Sequence, residues 1–175
     1  GSSIHKNLIG KFKNEVKRQG ALPFVRHHNI KYGGQFPIWV AVELFTFGML
    51  GSLFDLMREN DQRAVSREYN LSPESLSRLI ASAVDVRNIC AHYNRLYNRV
   101  LDDQPLLPNR LRLYESDRLF PLLLAFAHVL GHERVLNRLI TGLSLLEADF
   151  PEADLSLCGF PEDWRSILEA EAAQS

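Results

Sequence analysis

Apolar and polar positions alternate with helical period along almost the whole chain. Leu8, Ile9, Phe12 and Val16 recur at helical spacing among Lys6, Lys11, Lys13 and Lys17, predicting an amphipathic helix over 6–19 that closes at Gly20. A loop is expected next, holding Pro23, the pair His27 and His28, and Gly33-Gly34. Pro37 suits the first turn of a helix through the most apolar stretch to about Met57, loosened at Gly48 or Gly51, and this is the expected core helix. After a short helix near 61–69, Ser72 can cap, Pro73 can take the first helical position and Glu74 favours the positive end of the dipole. No proline or glycine then interrupts before Pro105, so the helix is expected to continue to about Val100. Further helices are expected over 117–130 behind a Ser116 cap, over 132–148 after punctuation at Gly131, and from Pro161 onward. No stretch shows sustained period-two alternation between hairpin turns, and no repeat is present. The expected fold is all-α, a bundle of five to seven helices with antiparallel neighbours.

Composition narrows the class without naming a chemistry. A chain of 175 residues with 46% hydrophobic and 23% charged residues can bury one core and is neither disordered nor fibrous. It is read as one domain over 4–170, with Gly1 to Ser3 as a cleavage scar and 171–175 as a frayed tail. Cys90 and Cys158 are too few for a disulfide scaffold, so a reducing cytoplasmic setting is the simplest reading. Glu43, Pro37, Gly48 and Gly51 in the apolar stretch 36–54 argue against a membrane span. The net charge of -1 hides a gradient: residues 1–40 hold seven Lys/Arg against Glu15, and 141–175 hold eight acids against Arg165. A basic head can meet phosphate or an acidic surface, and it can equally be a solvated helix face.

The stretch from Val86 to Val100 carries the chemistry. On a continuous helix Val86, Ile89, Tyr93, Leu96 and Val100 form a core stripe. Asn88, His92, Arg95 and Arg99 form a second stripe, and Arg87, Ala91, Asn94 and Asn98 a third beside it. That polar face has three arginines, three asparagines and a histidine, with no acid and no lysine. Helix propensity does not account for the asparagines. Arginine offers a planar fork for phosphate, and histidine exchanges protons near neutral pH, so the face suits a polyanion whose cleavage needs proton transfer. The plainer alternative is a polar surface or seam with His92 hydrogen-bonded structurally. Glu43 is either a buried acid needing a cationic or donor partner, which this face would supply, or an acid at the core rim reaching water.

Arg87-Asn88-Ile89-Cys90-Ala91-His92 resembles the Arg-Asn-x-x-x-His signature of the HEPN superfamily of helical ribonucleases. Extended through Asn94-Arg95-Leu96-Tyr97-Asn98-Arg99, it resembles the Abi-like abortive infection proteins of bacteria, of the AbiD/AbiF type. Two more blocks fit that family: Tyr32-Gly33-Gly34 with Pro37 to Leu44 and Phe47-Gly48, and the closing Gly159 to Trp164. The likeness spans about residues 5 to 168. Abi-like proteins usually carry more helical sequence ahead of this region, so the chain resembles the C-terminal HEPN portion of a longer protein. Tyr93 stands where many relatives have a second histidine.

The resemblance implies a HEPN-like helical bundle and a metal-independent endoribonuclease of anti-phage defence, needing no cofactor, whose site forms where two motifs meet across a homodimer. RNA is then the partner, with an antitoxin or regulatory RNA as a further candidate. Arg87, Asn88 and His92 are the expected catalytic residues, and Asn94, Arg95 and Glu43 are expected to bind substrate or order the site. The rival reading is a non-catalytic module that binds RNA or protein, or dimerises, through the same face. No metal site is expected: His27-His28 and His128 with His132 lack completing ligands.

Overall fold

The computed structural model describes residues 3–130 and 133–172. Gly1 and Ser2 of the expected scar 1–3, the punctuation at Gly131, the zinc candidate His132 and residues 173–175 of the expected tail 171–175 lie outside the described residues, while Ser3 opens the first helix. Among those described are nine α-helices, three short 3-10 segments and no strand. The fold is all-α as expected, with more helices than the anticipated five to seven. The chain divides into two compact units, Gly1–Gln62 and Arg63–Ser175, where the sequence reading treats 4–170 as a single domain.

The first unit holds α1 (Ser3–Arg18), α2 (Pro23–Lys31), α3 (Ile38–Ala41), a 3-10 turn over Val42–Leu44 and α4 (Phe47–Leu56). Helix α2 replaces the expected loop. Pro23 sits in its first turn, and Val25 is its one buried residue, so its sequence shows little helical periodicity. The expected helix from Pro37 to Met57 is broken instead at Phe45 and Thr46, both in extended backbone. Leu8 of α1, Val25, Leu44, Met49 and Phe54 are buried, and α1 packs on α4. Phe12 of α1 meets the ring edges of Phe36 and Phe45 at 5.5 and 5.9 Å.

α5 (Glu59–Arg67) carries the boundary between the units, and the second unit continues with α6 (Pro73–Ala91), α7 (Phe120–Leu130), α8 (Glu133–Asp149) and α9 (Trp164–Ala172). Its core is built on α7. Phe120, Leu122, Leu124 and Ala127 are all but inaccessible, as a helix apolar on every side requires. Burial of each large side chain contributes about 2 kcal/mol. α7 packs on α6 and α9, and α8 packs on α9. Phe160 and Trp164 of the closing block complete this core, with Phe160 5.0 Å from Phe120 and edge-on to Trp164 at 5.7 Å. Glu171, assigned by sequence to the tail, lies in α9, buried against Arg110. No helix among the described residues is long and apolar enough to cross a membrane.

Candidate functional site

The start of α6 follows its sequence. Ser72 Oγ accepts the Ser75 N–H at 3.0 Å, Pro73 opens the helix and Glu74 lies in the first turn. Leu76, Leu79, Ala83 and Ile89 are buried, with Val86 half-buried against the same core. This stripe sets the opposite face outward, so Arg87, Asn88, Ala91 and His92 are exposed at the C-terminal end of α6.

The helix stops there rather than at Val100. His92 is the cap, and Tyr93 adopts a left-handed conformation at φ +54°. Tyr93 N–H donates to Cys90 O at 3.2 Å and Asn94 N–H to Ile89 O at 3.0 Å, the paired bonds of a Schellman ending. Tyr93, expected in the core stripe, is therefore fully exposed, and Val100 is exposed as well. Asn98 takes a second left-handed conformation at φ +53°, which asparagine tolerates better than most residues.

From Asn94 to Val100 the chain is non-helical and tied to other parts of the second unit. The Tyr97 hydroxyl donates to Asp154 O at 3.2 Å and accepts Asp154 N–H at 3.0 Å. Asn98 N–H donates to Cys158 Sγ at 3.4 Å, and Arg118 Nη1 donates to Asn98 Oδ1 at 2.9 Å. The Asp154 carboxylate accepts Ser156 N–H at 2.9 Å, and these hydrogen bonds from Ser156 hold it below the usual aspartate range. The turn is firmest above that range and loosens as pH falls through the lowered value.

The polar face thus divides in two. Asn98, with Tyr97 beside it, is bonded to the rest of the second unit, while Arg87, Asn88, His92, Asn94, Arg95 and Arg99 are exposed and, among the described residues, make no side-chain bond beyond the Arg87–Asn88 pair. Arg87 Nη1 donates to Asn88 Oδ1 at 3.1 Å, which engages the amide oxygen and leaves the amide N–H groups to donate. His92 follows Asn88 by one helical turn and donates its backbone N–H to Asn88 O at 3.1 Å. Among the described residues, neither Arg95 nor Arg99 has an ion-pair partner. The carbonyl end of a helix carries partial negative charge, so any anion drawn here is drawn by these guanidiniums and not by the α6 backbone.

Glu43 belongs to the first unit, exposed in the 3-10 turn. It is the acid that reaches water, and it needs no buried cationic partner. Of the zinc candidates, His28 donates Nδ1–H to Phe24 O at 2.8 Å. His128 Nδ1 lies 3.3 Å from Arg110 Nη2 and 3.4 Å from Glu171 Oε2. Among the described residues no three metal-ligating side chains cluster. The Arg110–Glu171 pair escaped the sequence reading, because 61 residues separate partners that no local pattern connects. Its second bond, Arg110 Nη2 to Glu171 Oε2, is 2.8 Å, and the hydrogen bond to Glu171 raises the Arg110 guanidinium above its usual value.

A family model described as Abi-like protein matches residues 1–98. The matched span takes in the block beginning at Tyr32 and the whole of Arg87 to Asn98, and excludes the closing block from Gly159 to Trp164 that the sequence reading counted with them. No curated protein and no solved structure matches the chain.

Proposed function

The chain belongs to the Abi-like protein family, and on that footing we propose that it acts in bacterial abortive infection as a metal-independent endoribonuclease of the HEPN type. One observation carries the proposal: Arg87, hydrogen-bonded Asn88 and His92 share the exposed end of α6, followed by the guanidiniums of Arg95 and Arg99, which have no ion-pair partner among the described residues. RNA brings its own nucleophile, the 2′-hydroxyl. Cleavage then needs a base for that proton, an acid for the leaving 5′-oxygen and positive charge beside the phosphorane. His92 transfers the proton, Arg87 stabilises the phosphorane, and Asn88 orients the scissile phosphate or His92 through its free amide N–H groups. Asn94 and Arg95 bind the flanking phosphate. One motif supplies one histidine, so separate acid and base roles are filled by His92 from two protomers of a homodimer. RNA is the partner, in the cytoplasm.

The test is incubation of the chain and its His92→Ala variant with labelled single-stranded RNA in excess EDTA. His92-dependent cleavage leaving 2′,3′-cyclic phosphate ends is expected. Full activity in His92→Ala removes histidine from the mechanism. Salt-sensitive binding without cleavage overturns the enzymatic reading in favour of a binding module.

A further inference from the structure

We infer that the first unit carries a second nucleic-acid site, a cleft that stacks unpaired bases of single-stranded RNA. A cavity of about 560 Å³ opens between the end of α2 and α3, lined by His28, Tyr32, Gln35, Phe36, Pro37 and Trp39. Four of the seven lining residues, which also include Val40, are aromatic, and the two largest faces are left to solvent: Trp39 is 72% exposed and Tyr32 47%. So much contiguous indole and phenol surface left in water is set apart from scattered surface apolar residues.

The wall is already arranged for flat partners. His28 lies stacked on Phe36, with ring centroids 5.1 Å apart and planes within 16°, and its Nδ1–H bond to Phe24 O holds the ring in place. In the neutral ring that bond leaves Nε2 as an acceptor for a base N–H. The Gln35 amide makes no side-chain hydrogen bond among the described residues and offers both a donor and an acceptor. Gly33 and Gly34, at φ +60° and +77°, provide the sharp turn that brings Gln35 to Trp39 back beside α2.

Charge selects the occupant. Residues 1–40 hold seven lysines and arginines against Glu15, and Glu15 is already engaged by Arg18 and Gln19. Lys31 Nζ sits 5.4 Å from the Tyr32 ring, at the cleft itself, and no acid lines the cavity. Aromatic faces with the Lys31 ammonium beside them and no carboxylate in the lining are the elements of sequence-tolerant single-strand binding, in which bases stack and phosphates meet the cation.

The experiment titrates the chain with a 2′-O-methyl oligouridylate of about eight nucleotides and with an abasic strand of equal phosphate number. The probe lacks the nucleophilic hydroxyl, so the result is independent of whether the protein cleaves RNA. Trp164 is buried and Trp39 exposed, so emission reached by a soluble quencher reports Trp39. The base-bearing strand is expected to shield Trp39, and Trp39→Ala to weaken binding about tenfold while Trp39→Phe keeps most of it. Equal binding of the abasic strand, or unchanged binding by Trp39→Ala, overturns the proposal. So does shielding of Trp39 that follows protein concentration without RNA, since the cleft would then be covered by a second copy.

Discussion

The Tyr97 hydroxyl exchanges two hydrogen bonds with the backbone of Asp154, giving one to its carbonyl at 3.2 Å and taking one from its N–H at 3.0 Å. The side chain closes a loop of 57 residues and holds the segment that leaves the Arg87–His92 motif. Tyr97→Phe keeps the ring and removes both bonds. Because the pair is solvent-exposed, the expected loss is about 1 kcal/mol in urea denaturation. RNA cleavage should fall further than stability does, since Asn94 and Arg95 lie on the released segment.

Tyr93 ends α6 in a conformation that costs a side chain about 1–2 kcal/mol, and its ring contacts water on every side. Glycine removes that cost while adding about 0.5–1 kcal/mol of backbone freedom to the unfolded chain. Relief outweighs entropy, so Tyr93→Gly is expected to stabilise the protein by up to about 1 kcal/mol, read as a raised Tm. Tyr93→Val, β-branched at the same position, should lower it.

These residues also mark where the sequence was legible. Ser72, Pro73 and Glu74 announce the start of α6 because cap chemistry lies within one turn. The end of α6 has no such announcement: a tyrosine occupies the place glycine usually takes, and the bonds that secure the exit run to Asp154 and Cys158. Helical extrapolation therefore carried Tyr93 and Val100 into a core they do not enter. Arg87, Asn88 and His92 stay together because they precede the break. The aromatic cleft escaped for a related reason, since Tyr32 to Trp39 has no helical period and becomes a cleft only when Gly33 and Gly34 fold it back.

Two glycines of the second unit should respond in opposite directions to the same substitution. Gly159 sits at φ +81°, where an added Cβ would lie 2.8 Å from Arg118 Cβ and 3.0 Å from Ser116 Oγ. Arg118 is also the donor to Asn98, so displacing it loosens the motif loop. Gly159→Ala is expected to cost about 2 kcal/mol. Gly142, inside α8 with nothing within 4 Å of its added Cβ, should gain up to about 1 kcal/mol as alanine. Denaturation midpoints of the two variants check both signs.

If the proposed site needs His92 from two protomers, an inactive chain poisons an active one. Each wild-type chain paired with a His92→Ala chain forms a site with one histidine, lacking either the acid or the base. With a ninefold excess of the variant, co-refolded so that partners mix, only roughly one wild-type chain in ten meets another. Cleavage per wild-type chain should then fall to about one tenth. A monomer with a self-sufficient site loses nothing under the same mixing, because each wild-type chain keeps its own Arg87, Asn88 and His92. The two models therefore separate on the slope of activity against wild-type fraction, quadratic for a shared site and linear for a private one. A linear slope, with dimers confirmed by sedimentation, would return both proton transfers to a single histidine, which takes the 2′-hydroxyl proton as base and gives it to the leaving 5′-oxygen as acid, ending each turnover neutral as it began.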